Sequence, residues 1–252
     1  MVNFVGAGCG APDLITVRGM NLLKKADVII YAGSLVNPEL LEYAGESCII
    51  YNSAYMTLDE VIDVMKSAEA EHKMTVRLHT GDPCLYGAVR EQFDRLEALG
   101  IEYQVCPGVS SFCGAAASLK AEYTLPDVSQ TVIITRLEGR TPVPEKEKIP
   151  ALAAHGSTMV IFLSAGMLEK LSAQLIEGGY DKNTPAAIVY KASWADEKIC
   201  RCTVEKLAET AAANGIDRTA LIVTGDFLGD DYALSRLYDS SFETGYRKAD
   251  KP

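Results

Sequence analysis

Three short stretches carry residue types and spacings that could do chemistry. In Thr80-Gly81-Asp82-Pro83-Cys84-Leu85 a carboxylate stands between a glycine and a proline. Gly81 can take backbone angles that a side chain forbids, and Pro83 fixes its own φ and offers no N–H. The run before it, Thr75-Val76-Arg77-Leu78-His79, alternates apolar and polar residues, so the turn follows a strand. The C-terminal ends of strands are where open α/β sheets bind ligands, although the same residues also suit an ordinary strand-to-helix turn. The second stretch, Gly6-Ala7-Gly8-Cys9-Gly10-Ala11, follows the strand Val2-Asn3-Phe4-Val5 and satisfies the G-x-G-x-x-G/A dinucleotide pattern. Two features count against a nicotinamide cofactor. The next strand ends Ile29-Ile30-Tyr31-Ala32-Gly33 without an acid to hold a ribose, and Pro12 separates the glycines from the helix. The third stretch, Pro107-Gly108-Val109-Ser110-Ser111, offers two hydroxyls after a glycine turn, with no patterned histidine to complete a triad. Chemistry without a nucleophile and base points to group transfer from an activated donor, which needs positioning and exclusion of water. A sulfonium methyl donor is such a reagent.

The remaining reactive residues exclude more than they suggest. Seven cysteines are scattered with no Cys-x-x-Cys pair, and we expect all of them reduced and buried as small hydrophobes. His72, His79 and His155 lack metal-ligand spacing, so no metal is expected. The formal charge of −10 argues against nucleic acid and anionic membrane as partners, leaving room only for a local basic pocket. No apolar run approaches the length of a membrane helix and the N-terminus carries no secretory pattern, so a cytoplasmic protein is expected.

These residues need a frame, and strand and helix alternate five times before residue 120. Strands are expected at Val2–Val5, Asp27–Tyr31, Ser47–Tyr51, Val76–Leu78 and Glu102–Cys106. The helices between them are one capped by Asp13, a short one over Pro38–Ala44, then Leu58–Ala70 and Tyr86–Leu99, with a small-residue helix near Ala115–Ala117. That alternation predicts an α/β fold with a mostly parallel sheet covered on both faces over residues 1–120. A polar stretch, 121–130, is expected to link it to a second α/β domain over 131–229. Strands are expected there at Thr131–Thr135, Thr158–Leu163, Ala186–Tyr190, Lys198–Cys202 and Ala220–Val223, the third and fourth paired antiparallel in a mixed sheet. Helices are expected at Leu168–Ile176 and Val204–Ala213, and a polar tail over 230–252.

Taken together, Gly6-Ala7-Gly8, Gly10, Pro12-Asp13-Leu14-Ile15-Thr16, Gly81-Asp82-Pro83 and Pro107-Gly108-Val109-Ser110-Ser111 resemble the tetrapyrrole methylases over the chain up to about Gly229. Within that family, Tyr31–Val36, Arg136–Pro144 and Val189–Ile199 are similar to the enzymes that methylate carbon 11 of precorrin-4 in cobalamin synthesis. The resemblance implies two α/β domains with a ligand trough between them, a homodimer, and S-adenosyl-L-methionine as donor with S-adenosyl-L-homocysteine as product. Carried over position by position, it implies donor contacts at Cys9, Gly81, Asp82, Leu85, Ser110, Ser111, Leu163, Ala192 and Ala220. Ala11 stands where the family carries a carboxylate. A tetrapyrrole substrate rich in carboxylates calls for cations, and Arg18, Arg77, His79, Arg136 and Arg140 are the candidates, with Arg136 and His79 foremost. Two other readings are compatible with the pattern. One is methylation of another precorrin carbon or another substrate, such as a diphthamide precursor, by the same fold. The other is a non-catalytic nucleotide-binding module.

Overall fold

A computed structural model describes residues 1–249; the last three positions of the expected tail, 250–252, lie outside the described residues. The chain forms two compact units. The first holds Met1–Ala115 together with Lys191–Glu197, and the second holds Ala116–Tyr190 and the residues from Lys198 on.

In the first unit the chain runs β1 (Val2–Gly6), α1 (Val17–Lys25), β2 (Val28–Tyr31), β3 (Ile49–Asn52), α2 (Leu58–Ala70), β4 (Thr75–His79), α3 (Arg90–Ala98) and β5 (Tyr103–Cys106), and α4 (Ser111–Leu119) crosses the division. The five strands form the parallel sheet expected of the alternation, in the order β3-β2-β4-β1-β5. Side chains alternate across it. Val5, Ile29, Val76 and Leu78 pack with Leu23 of α1 on one face, while Phe4, Ile30, Val61, Met65 and Leu96 pack α2 and α3 on the other. Adjacent strands β1 and β4 thus send their following helices to opposite faces, which opens the crevice at their C-terminal ends.

Local chemistry sets the helix starts. At α2, Thr57 and Glu60 form a reciprocal capping box, with Thr57 N donating to Glu60 Oε2 at 2.6 Å and Glu60 N to Thr57 Oγ1 at 3.3 Å. The cap expected at Asp13 is displaced. Pro12–Leu14 forms a separate 3-10 turn, Ile15 is extended, and Thr16 caps α1 by accepting from Gly19 N at 3.0 Å. Likewise α3 starts at Arg90 rather than Tyr86, because Tyr86 and Ala88 hold left-handed φ of 56° and 49° that a helix cannot include.

The second unit contains β6 (Val132–Arg136), α5 (Ile149–Ala153), β7 (Thr158–Phe162), α6 (Leu168–Glu177), β8 (Pro185–Tyr190), β9 (Lys198–Thr203), α7 (Leu207–Asn214) and β10 (Ala220–Thr224). Its sheet runs β6-β7-β10-β8-β9, with β6 and β7 parallel and the other pairs antiparallel. The expected hairpin is present, with Ile188 opposite Cys200. Met159, Ile161, Ile188 and Ile222 bury their side chains against Leu168, Leu171 and Leu175 of α6. The short helix α5 was not anticipated; five residues with a proline in the first turn show too little periodicity to be read.

All seven thiols are free, but they are not all buried as expected: Cys84 and Cys113 are exposed. In the tail, Leu234, Tyr238 and Tyr246 are exposed. Among the described residues no helix is long and apolar enough to cross a membrane.

Candidate functional site

Three of the predicted motifs meet at the C-terminal ends of the neighbouring strands β4, β1 and β5. Ala7 N donates to His79 O at 2.7 Å, and Gly8 and Gly81 exchange two bonds, Gly8 N to Gly81 O at 3.2 Å and Gly81 N to Gly8 O at 2.9 Å. Backbone packs on backbone here. A Cβ on Gly6 would stand 2.6 Å from Gly81 O and from Gly108 Cα, and one on Gly108 would stand 2.2 Å from Gly81 O. Gly81 itself has φ +60°, and a Cβ there would meet Ser110 Cα only at 3.4 Å. Its glycine is demanded by conformation, not by crowding.

Asp82 ties the second and third motifs together. Its Oδ2 accepts from Gly108 N and its Oδ1 from Cys84 N, both at 2.8 Å. Partial burial would raise its pKa, but the bonds from Cys84 and Gly108 outweigh that and hold the carboxyl below its ordinary value. This acid is ionised and committed to shaping the loops.

The first motif acquires partners that no sequence pattern announces. Ser193 Oγ lies 3.3 Å from Cys9 Sγ and accepts from Ala11 N at 3.0 Å, while Asn37 Nδ2 donates to Gly10 O at 3.0 Å. A Cβ on Gly10 would fall 2.2 Å from Trp194 Cδ1 and 2.6 Å from Ala192 O, and one on Gly114 would fall 2.8 Å from Cys9 Sγ. The segment Lys191–Glu197 therefore sits on the glycine loop. Its shape is fixed from within: Ser193 N donates to Glu197 Oε2 and Lys191 Nζ pairs with Asp196 Oδ2, both at 2.6 Å. Lys191 and Ser193 hold left-handed φ of 48° and 66°, the kind of strain that clusters where ligands are clamped.

Of the nine positions expected beside a donor, the first unit contains Cys9, Gly81, Asp82, Leu85, Ser110, Ser111 and Ala192. Cys9, Ser110 and Ala192 are buried, while Leu85 and Ser111 are half-buried. Leu163 and Ala220 belong to the second unit. Leu163 follows β7 with φ 53° and is 64% exposed, and Ala220 opens β10 opposite Tyr190.

The expected cations separate into different roles. His79 is 3% exposed and stacked on Phe4, and burial, with the charge of Arg77 second, pushes its pKa down to about 3. It is a neutral core side chain, not the cation expected. Arg77 is also buried, on hydrogen bonds to Gln92 and Ile30 O. Arg136 donates to three carbonyls of its own loop, Pro142 O at 2.7 Å, Thr141 O at 3.2 Å and Leu137 O at 3.4 Å. Arg18 and Arg140 are exposed.

A family model described as tetrapyrrole (corrin/porphyrin) methylases matches residues 1–208. The chain is 57% identical over 251 residues to the cobalt-precorrin-4 C(11)-methyltransferase of Methanocaldococcus jannaschii, covering 99% of this chain and 97% of that protein. A solved cobalt precorrin-4 methyltransferase superposes with a TM-score of 0.89 at 45% identity, over 91% of this chain and 96% of its own. The uroporphyrin-III C-methyltransferase of Thermus thermophilus, solved in complex with S-adenyl homocysteine, matches with a TM-score of 0.76 at 25% identity, over 90% of this chain and 93% of its own.

Proposed function

The chain belongs to the tetrapyrrole (corrin/porphyrin) methylases, and from that membership we propose that it methylates carbon 11 of precorrin-4, free or as its cobalt complex, with S-adenosylmethionine as donor. The observation that carries the reading is the 57% identity over 99% of the chain to an enzyme named for that reaction.

The residues of the first unit fit such a donor. The left-handed glycine at 81 leaves the space beside Ser110 free of a side chain, and Ser110 and Ser111 offer hydroxyls there. Cys9, Leu85 and Ala192 add apolar surface, and Asp82 keeps the loops in register through Gly108. Of the second unit, Leu163 and Ala220 are assigned to the donor on the family pattern. When bound, S-adenosylmethionine supplies a methyl group already activated on a sulfonium, which agrees with loops built for positioning. Orientation and exclusion of water can lower such a barrier by roughly 7–11 kcal/mol.

The substrate's carboxylates need cations that are not already spent. Arg136 uses both terminal nitrogens on loop carbonyls, whereas Arg140, four residues on in the same loop, is exposed. We assign carboxylate binding to Arg140 and the shape of the loop to Arg136.

The test is incubation with labelled S-adenosylmethionine and precorrin-4, with and without cobalt, followed by mass and NMR analysis of the product. One methyl added at carbon 11 is the expected result. Methylation at another carbon, or none in the presence of bound donor, overturns the assignment.

A further inference from the structure

Donor and substrate leave the buried cation Arg77 without a task. It lies within β4, 7% exposed, and no carboxylate pairs with it among the described residues. Burial lowers its pKa only to about 10, so it stays charged at neutral pH. A buried charge without a counter-ion is costly unless hydrogen bonds compensate it. Arg77 Nη1 donates to Ile30 O at 3.1 Å and Nε to Gln92 Oε1 at 3.2 Å.

Gln92, 5% exposed in the first turn of α3, carries the bond onward, because its Nε2 donates to Ala88 O at 3.0 Å. The orientation of a buried amide is set by its partners. Arg77 offers only donors, so it claims the oxygen of Gln92 and leaves the nitrogen to face Ala88. The turn that receives this bond is strained. Tyr86 and Ala88 are left-handed, a Cβ on Gly87 would stand 2.3 Å from Pro83 O, and Val89, the N-cap of α3, gives no side-chain cap. Such a backbone persists only where its surroundings over-determine it.

We propose that Arg77 and Gln92 form a buried relay that holds the strained turn 83–89 in the shape that presents Leu85, with Arg77 a positioning residue acting through Gln92. The link to ligand binding rests on the donor site proposed above; the link to the turn does not.

Gln92→Glu separates the two. The carboxylate still accepts from Arg77, and gains charge complementarity, but it no longer donates to Ala88 O and sets two acceptors face to face. Hydrogen exchange should quicken at the amides of 84–89 and nowhere else, and S-adenosylhomocysteine affinity by calorimetry should fall about threefold to tenfold, the loss of one hydrogen bond. Arg77→Met, which frees the amide to turn over, should loosen the same turn. Unchanged exchange at 84–89 in Gln92→Glu, or exchange raised evenly along the chain, overturns the relay. A loosened turn with parental affinity overturns its role in binding. A parent protein that binds no S-adenosylhomocysteine overturns the donor site instead, and the exchange data still decide the relay.

Discussion

Asp82 holds Gly108: one carboxylate oxygen accepts from Gly108 N and the other from Cys84 N, both at 2.8 Å, so a single side chain joins the loops that follow β4 and β5. Its acidity follows from that work. The folded carboxyl titrates below its ordinary value of 3.8, so the stability it contributes is fully present above that value and is lost as pH falls through the lower folded one. Asp82→Asn keeps one acceptor but turns an NH2 toward an N–H donor. We expect a loss of about 1.5–3 kcal/mol in urea unfolding at neutral pH, the range for a hydrogen bond to a charged group. Weaker S-adenosylhomocysteine binding should accompany it. Parental stability at neutral pH would mean that Asp82 joins nothing that matters.

The two loop glycines answer to different constraints and should fail differently. Gly108→Ala drives a Cβ to 2.2 Å from Gly81 O, backbone against backbone, and should cost about 1–3 kcal/mol of stability. At Gly81 the space is ordinary and the obstacle is φ +60°. Gly81→Val should therefore combine backbone strain with loss of donor affinity, since the added side chain enters the space beside Ser110. Calorimetry with S-adenosylhomocysteine and thermal melts on both variants check this. Parental affinity in Gly81→Val would reduce the Gly-Asp-Pro motif to a turn.

The frame of the first unit was legible because its strands are local apolar runs separated by helices of clear period, and such a pattern admits few arrangements. The second sheet was legible through the short loop joining β8 and β9. What the residues did not reveal was pairing at a distance. Nothing in the sequence links Ser193 to Cys9, or Trp194 to Gly10, because those contacts join positions more than 180 residues apart. The charges misled for a related reason: Arg77 and His79 alternate with Val76 and Leu78 as a half-exposed strand would, yet β4 is buried on both faces. A central strand of a parallel sheet can hide polar side chains when a helix covers each face.

That burial has a consequence in acid. The pKa of His79 falls from 6.5 to about 3, so between these values the unfolded chain takes up a proton that the native protein refuses. Stability should decline as pH drops through that window, by at most about 1.4 kcal/mol per pH unit from this side chain. His79→Leu removes both the proton site and a buried Nε2 that has no hydrogen-bond partner among the described residues. Urea unfolding at pH 7.5 and 5.0 should show a smaller difference in the variant; an equal difference would assign the acid sensitivity elsewhere.

Trp194 is the chain's one tryptophan, and its indole lies on Gly10 with Lys191 Nζ 5.1 Å from the ring centroid. Its emission should therefore report on the glycine loop. Addition of S-adenosylhomocysteine should shift or quench it with the same midpoint as calorimetry. Gly10→Ala, which forces the indole and Ala192 O away, should move the ligand-free emission to the red and weaken binding. Emission indifferent to saturating ligand would detach Trp194 from the donor site.

Arg136 and Arg140 lie in one loop and should separate cleanly. The base of that loop is anchored by Leu137, 1% exposed, whose N–H donates to Ser164 Oγ at 2.9 Å, and by Lys170 Nζ on Glu138 O at 3.2 Å. Arg136 then gathers Thr141 O and Pro142 O with its planar fork, which a lysine cannot reproduce with one ammonium. Arg136→Ala should lower the melting temperature and raise KM for the tetrapyrrole together, because the loop loses its shape. Arg136→Lys should fall between parent and alanine in both. Arg140→Ala should leave the melting temperature unchanged, since among the described residues no hydrogen bond or ion pair holds that side chain. Its KM should rise about tenfold or more, the loss of a charged hydrogen bond of about 1.5–3 kcal/mol. Donor affinity should stay parental in Arg140→Ala. If Arg140→Ala keeps the parental KM while Arg136→Lys loses substrate binding at an unchanged melting temperature, the two roles are reversed, and Arg136 is the residue that meets the carboxylate.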